Sequence, residues 1–93
     1  MLFGNIKKGL EECRAAPGAI LIDVRELDEF ASGHIPGAVN EPLSTISNTV
    51  LPKDAPSFLY CLRATRSRRA AGILKRMGYT VKSISGYKGE AER

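Results

Sequence analysis

Histidine occurs once in the 93-residue chain, at His34, and cysteine twice, at Cys13 and Cys61. Ligands so few and so far apart argue against a clustered metal site. The opening MLFGNIKKGL lacks the apolar segment a secretory signal needs, so both thiols are expected reduced and the protein cytoplasmic. No apolar run approaches the length of a membrane span, since AILI is cut off by Asp23. Acids are missing altogether from residues 61–76, CLRATRSRRAAGILKR, which hold Arg63, Arg66, Arg68, Arg69, Lys75 and Arg76. Six of the 14 basic residues fall there, leaving eight against 10 acids elsewhere, so the net charge of +4 belongs to one segment. A broad basic face would suit a phosphate backbone. One patch beside a thiol suits a small anion, and neither nucleic acid nor membrane is the expected partner.

What is present fits one small α/β domain over residues 1–93, with 43% hydrophobic and 26% charged side chains. A chain this short buries only about two-thirds of its unfolded surface, so any site belongs at an edge of the core. Ile6, Leu10 and Cys13 in NIKKGLEECRAA have helical spacing, with Asn5 as the expected N-cap and Gly18 just past the end. AILIDV is a continuous apolar run of strand length, the pattern of a strand covered on both faces. ELDEFASG reads as a brief helix, AVNE as a short strand and LSTISNTV as a weakly helical segment. SFLYC is a second buried strand and TVKSI a last one. Between them TRSRRAAGILKRMG places Ala70, Ile73, Leu74 and Met77 on one helical stripe ended by Gly78. Strands alternating with helices predict a mainly parallel sheet, whose functional groups gather at the strands' carboxyl ends. Asp23 and Cys61 fall at such ends.

Cys61 closes an apolar strand and the next helix begins about four residues later, so the intervening chain must turn sharply with its amides inward. Such a turn is an anion cradle, and the helix behind it adds the partial positive charge of its N-terminus. Helix N-termini and neighbouring arginines favour thiolate, the nucleophilic form, over thiol. Arg66, Arg68 and Arg69, near the first helical turn, oppose the helix dipole by about 0.3–1 kcal/mol each, and a bound anion offsets that. The plainer reading is a cysteine acting as a small buried hydrophobe beside a solvated arginine face. A packing role does not require the conjunction of thiol, short loop and helix start.

The stretches ILIDVRELDEFASGHIPGAVNEPL and LYCLRATRSRRAAGILKRMGY resemble the rhodanese-like sulfurtransferase family, over about residues 5–87. The markers are Asp23, Val24 and Arg25 after the first core strand, the GHIPGA turn, and Arg66 and Ser67 behind the cysteine. The resemblance implies a three-layer α/β fold, with a central, mainly parallel five-stranded sheet and helices on both faces. It implies that Cys61 accepts a sulfane sulfur as a persulfide, cradled by the backbone of Leu62, Arg63, Ala64, Thr65 and Arg66. Arg66 would brace the loop, and Arg63 would help bind an anionic donor such as thiosulfate. The acceptor would be cyanide, a small thiol or a protein thiol, with no metal or organic cofactor. Cysteine phosphatases carry five residues between cysteine and arginine where this chain carries four, and a tighter loop suits one sulfur better than a phosphoryl group. Two departures stand out. Ala64 occupies a position where the family often has glycine, and Glu90 stands where tryptophan is common, although Gly86 matches.

Asp23 is expected to bind loop amides or orient an arginine, or else to open an Asx turn into RELDEF. Arg25 is expected to pair with Glu26 or Glu29. His34 reads as a turn residue, and Cys13 as core packing in preference to a resolving thiol. The alternative from another class is a binding module that holds an anion without turnover, and phosphatase or arsenate-reductase chemistry ranks below both.

Overall fold

The protein's structure, a computed structural model, describes residues 3–84. Helix α1 (Phe3–Ala15) leads to strand β1 (Ile20–Asp23), helix α2 (Leu27–Ala31) and the two-residue strand β2 (Val39–Asn40). A 3-10 helix (Leu43–Asn48), strand β3 (Ser57–Tyr60), helix α3 (Thr65–Arg76) and strand β4 (Val81–Ser83) follow. Asn5 does not cap α1 but lies inside it, since the helix already runs from Phe3 and no proline there bars the extra turn. The expected C-terminal departures at Gly86 and Glu90 lie outside the described residues.

The sheet order is β2-β1-β3-β4 and every pairing is parallel. Four strands are found among the described residues instead of the five implied by the family resemblance. They are the four read along the chain, at AILIDV, AVNE, SFLYC and TVKSI; the fifth came from the resemblance alone. β1 and β3 pair over their full length, placing Asp23 opposite Tyr60 at one sheet edge, so Cys61 leaves β3 beside the end of β1.

Alternation along the strands sends side chains to two separate cores. Ile22, Val24, Leu59 and Cys61 pack with Ile46 and with Ala70, Ala71 and Leu74 of α3. Phe58 and Tyr60 face the other way, onto Ile6, Cys13 and Ile35. The sheet therefore stands between the two cysteines, which are both free thiols, and Cys13 has the packing role its helical spacing predicts. Burial pushes the Cys13 thiol up. Helices thus cover both faces, as the fold class requires. α1 approaches Ile84 so closely that a Cβ on Gly9 would come within 2.5 Å of its side chain.

Helix α3 ends where its sequence says it must. Gly78 takes φ of 100°, the Gly78 amide donates to the Lys75 carbonyl, and the Tyr79 amide to the Leu74 carbonyl. These two bonds form a Schellman cap, which needs a residue tolerant of positive φ. The stripe is shifted slightly from its expected position: Ala70, Ala71 and Leu74 are buried, while Ile73 and Met77 pack at the margin. Among the described residues, no helix is long and apolar enough to cross a membrane.

Candidate functional site

All four residues of β3 are buried, and the strand delivers Cys61, 1% exposed, to the start of a short loop. The backbone N–H of Ser67, in the first turn of α3, donates to Cys61 Sγ at 3.2 Å. That bond satisfies an otherwise orphaned helix amide and places positive potential on the sulfur. Cys61, Leu62, Arg63, Thr65 and Arg66 line a cup of about 160 Å³. No acid is among them, and Arg63 is exposed at the rim, so the cup offers an anion a cationic mouth and a sulfur at its base.

The tight path from Cys61 to α3 depends on Ala64, which holds φ 69° and ψ −14°. It is the one non-glycine residue at positive φ among those described, and its carbonyl accepts the first helical bond, from the Arg68 amide at 3.0 Å. An L-residue in this region is strained by about 1–2 kcal/mol. Ala64→Gly relieves that strain and gives back part of it as unfolded-chain entropy. The expected result is a gain of about 0.5–1 kcal/mol in urea unfolding; a loss of stability would show that the alanine methyl makes a contact worth more than the strain.

Ser67 holds the loop by its side chain as well. Its hydroxyl donates to the Ala64 carbonyl at 3.0 Å and lies 2.7 Å from the Ser83 hydroxyl. With the Ser67 proton directed to Ala64, Ser83 is the donor of that second bond. β4 thereby braces the residue whose amide holds Cys61. Ser83 was not foreseen from sequence, since a serine in an edge strand carries no signal of a partner 16 residues away.

Arg66 lines the cup, and its guanidinium makes a two-pronged bond to Glu29 of α2, at 2.7 and 3.0 Å, bracing the loop by tying α3 to α2. Glu29 also accepts the Glu26 amide at 3.0 Å, completing a capping box at the start of α2. Bonding to Arg66 holds the Glu29 carboxyl down to about 2 and raises Arg66 in return. Unfolded, Glu29 titrates near 4.5, so between pH 4.5 and about 2 the unfolded chain binds the extra proton. This contribution to stability is complete above pH 4.5 and is lost as pH falls toward 2. Urea titrations at pH 5.5, 4 and 3 should show wild type losing stability faster than Glu29→Gln. Parallel losses would mean the ion pair contributes nothing to the fold.

Asp23 and Arg25 stand apart from the cup. Asp23 Oδ1 accepts the Arg25 amide at 2.9 Å, the Asx turn expected of it. Its carboxylate also holds the Arg25 guanidinium at 2.8–3.0 Å. Asp23 therefore does orient an arginine, and it is Arg25. The expectation that Arg25 pairs with Glu26 or Glu29 is corrected: its ion pair is with Asp23, because the turn folds the guanidinium back on its own strand end. Burial opposes the charge on Arg25, but Asp23 more than offsets it and raises the group overall. Arg25 Nη2 donates to the Gly33 carbonyl at 2.5 Å, while the Ile35 amide donates to the Tyr60 hydroxyl at 3.0 Å. Burial pushes the Tyr60 phenol up, keeping it neutral. Together these bonds clamp the GHIPGA turn to the sheet edge. His34 caps the same turn: its Nδ1–H donates to the Phe30 carbonyl at 2.8 Å and its ring stacks on Phe30 at 3.6 Å.

The sequence model described as the rhodanese-like domain matches residues 5–89. The chain is 48% identical over 73 residues to the Bacillus subtilis protein YqhL, itself uncharacterised; the match covers 75% of this chain and 58% of that protein. It is 32% identical over 78 residues to the thiosulfate sulfurtransferase GlpE of Pseudomonas putida, covering 81% of this chain and 71% of that one. Among solved structures, a rhodanese with anions from E. coli superposes with a TM-score of 0.69 at 32% identity, covering 76% of this chain and 89% of that one.

Proposed function

Because the chain belongs to the rhodanese-like domain family, a sulfurtransferase-type family, we propose that it transfers sulfane sulfur through a persulfide on Cys61. The observation that carries this reading is the placement of Cys61 Sγ: it ends a buried strand, accepts the Ser67 amide at 3.2 Å and forms the base of a cup with Arg63 at its rim. In the first step the Cys61 thiolate attacks the outer sulfur of an anionic donor such as thiosulfate. The donor's S–S bond breaks, sulfite leaves with the electron pair, and Cys61 carries the outer sulfur as a persulfide anion. Backbone amides of Leu62, Arg63, Ala64, Thr65 and Arg66, with the helix dipole behind them, stabilise that charge. In the second step cyanide or a thiolate attacks the outer sulfur, the new bond forms, and the Cys61 thiolate is released. No net oxidation occurs and no cofactor takes part.

Such a cycle is ping-pong. Initial rates measured against thiosulfate at several fixed cyanide concentrations should give parallel double-reciprocal lines. Intersecting lines would mean both substrates bind together, and the persulfide cycle would fall. A second reading, an anion-binding module without turnover, draws on the near-complete burial of Cys61 and the strained Ala64. It predicts thiosulfate binding with no sulfur transfer.

A further inference from the structure

Between α3 and β4, with Ala64 in its wall, lies a larger groove of about 560 Å³. Arg68, Lys75 and Lys82 line it with Gly72, Ser83 and Ile84 among others, and no acid among the described residues is in its wall. Lys82 is paired with Glu12 of α1. Arg68 and Lys75 have no ion-pair partner among the described residues, and both are exposed.

The groove's floor has a second property. β4 pairs with β3 on one side and, among the described residues, has no strand on the other. The Thr80 carbonyl accepts the Ser57 amide and the Ile84 amide donates to the Leu59 carbonyl, so the even-numbered residues of this stretch turn their backbone groups toward β3. By the alternation of a strand, Val81 and Ser83 turn their N–H and C=O groups outward. An open edge of this kind accepts an added strand.

We propose that this groove is the docking site for an extended, acidic segment of a partner protein that receives sulfur from Cys61. The proposal rests on the sulfurtransferase reading and names the partner's chemistry. The segment pairs its backbone with Val81 and Ser83 and turns alternate carboxylates to Arg68 and Lys75. Those two residues lie seven apart on α3, about 10 Å along its axis. Same-face residues of a strand recur at about 7 and 13 Å, within reach of the two long side chains. A polypeptide, unlike a nucleic acid, uses the outward amides as well as the cations. Ala64 is a wall of this groove and sits in the loop whose other residues line the cup, so a docked segment carries a thiol at its end to the loop that holds Cys61. That thiolate attacks the outer persulfide sulfur, the partner becomes the persulfide, and the Cys61 thiolate leaves.

The test loads full-length protein with sulfur from thiosulfate and follows unloading by two capped peptides. One alternates glutamate and threonine before a terminal cysteine; the other replaces glutamate by lysine. The acidic peptide should unload the protein at least tenfold faster. That preference should collapse in Lys75→Glu, which lies outside the cup, and in Val81→Pro, which removes an outward amide and keeps the β3 pairing while changing a side chain at the margin of the core. Unloading by cyanide should stay unchanged in both variants and reports that each is folded. Equal rates for the two peptides, or a preference that survives Lys75→Glu, overturn the docking site. A preference lost in Lys75→Glu but kept in Val81→Pro overturns strand addition. Competition by a single-stranded oligonucleotide as strong as that by a cysteine-free acidic peptide would show a general polyanion surface and overturn it also. Failure to load any sulfur defeats the sulfurtransferase reading instead.

Discussion

Replacing Cys61 by serine should leave the fold in place and reduce sulfur transfer from thiosulfate to cyanide by at least about a thousandfold, the scale of losing a covalent nucleophile. The substitution changes one atom. Serine Oγ still accepts the Ser67 amide that now reaches Cys61 Sγ at 3.2 Å, and it leaves no cavity of consequence beside Leu59 and Ala70 in the core. A hydroxyl at neutral pH neither attacks the donor's sulfur nor carries it. Cys13 does not substitute, because the sheet lies between it and the cup. Thermal unfolding should change by only a few degrees, about 1 kcal/mol or less. Residual transfer at a tenth of the wild-type rate would move the carrier elsewhere.

The largest expected effect on stability comes from Asp23→Ala. Asp23 is wholly buried and Arg25 is 7% exposed, so removing the carboxylate strands a guanidinium away from water. Breaking one side of a buried pair costs about 3–5 kcal/mol, against a total stability of about 5–15 kcal/mol for a domain. The midpoint of thermal unfolding should fall by about 15–30 °C. The damage should reach the GHIPGA turn, since Arg25 also holds the Gly33 carbonyl. Changing both partners, Asp23→Ala with Arg25→Met, should recover much of the loss because no lone charge is left inside. A fall of less than about 5 °C in the single variant would mean that water reaches Arg25 and that the pair is not a structural lock.

Much of this was readable from the chain because it is local. Continuous apolar runs give β1 and β3, where nearly every residue must be covered on both faces. Apolar spacing and Gly78 give α3 and its end. The jump from strand to helix within four residues locates the cysteine loop, and the family's preference for glycine anticipates the positive φ at Ala64. The Asx turn at Asp23 was equally legible, for its two ends lie two residues apart.

What was not readable depends on partners distant in sequence. Arg66 is drawn to Glu29 across 37 residues, and a run of arginines gives no sign which one is so engaged. Glu29 had a local signal, the capping-box spacing from Glu26, but that pattern does not reveal its second bond. Arg25 was expected to pair with Glu26 or Glu29 because the burial of Asp23, which keeps its carboxylate beside the guanidinium, is not visible in composition. Ser83 acts only because β4 lands beside α3. The edge position of β4 among the described residues likewise emerges from the strand order, which four strand-like stretches do not specify.

Intact-protein mass spectrometry after thiosulfate, and again after cyanide, tests Cys61 as a sulfur carrier most directly. Wild type should gain the mass of one sulfur atom and lose it to cyanide, and Cys61→Ser should gain none. No gain in wild type, even from a persulfide donor, or an equal gain in Cys61→Ser, would contradict sulfur transfer through Cys61.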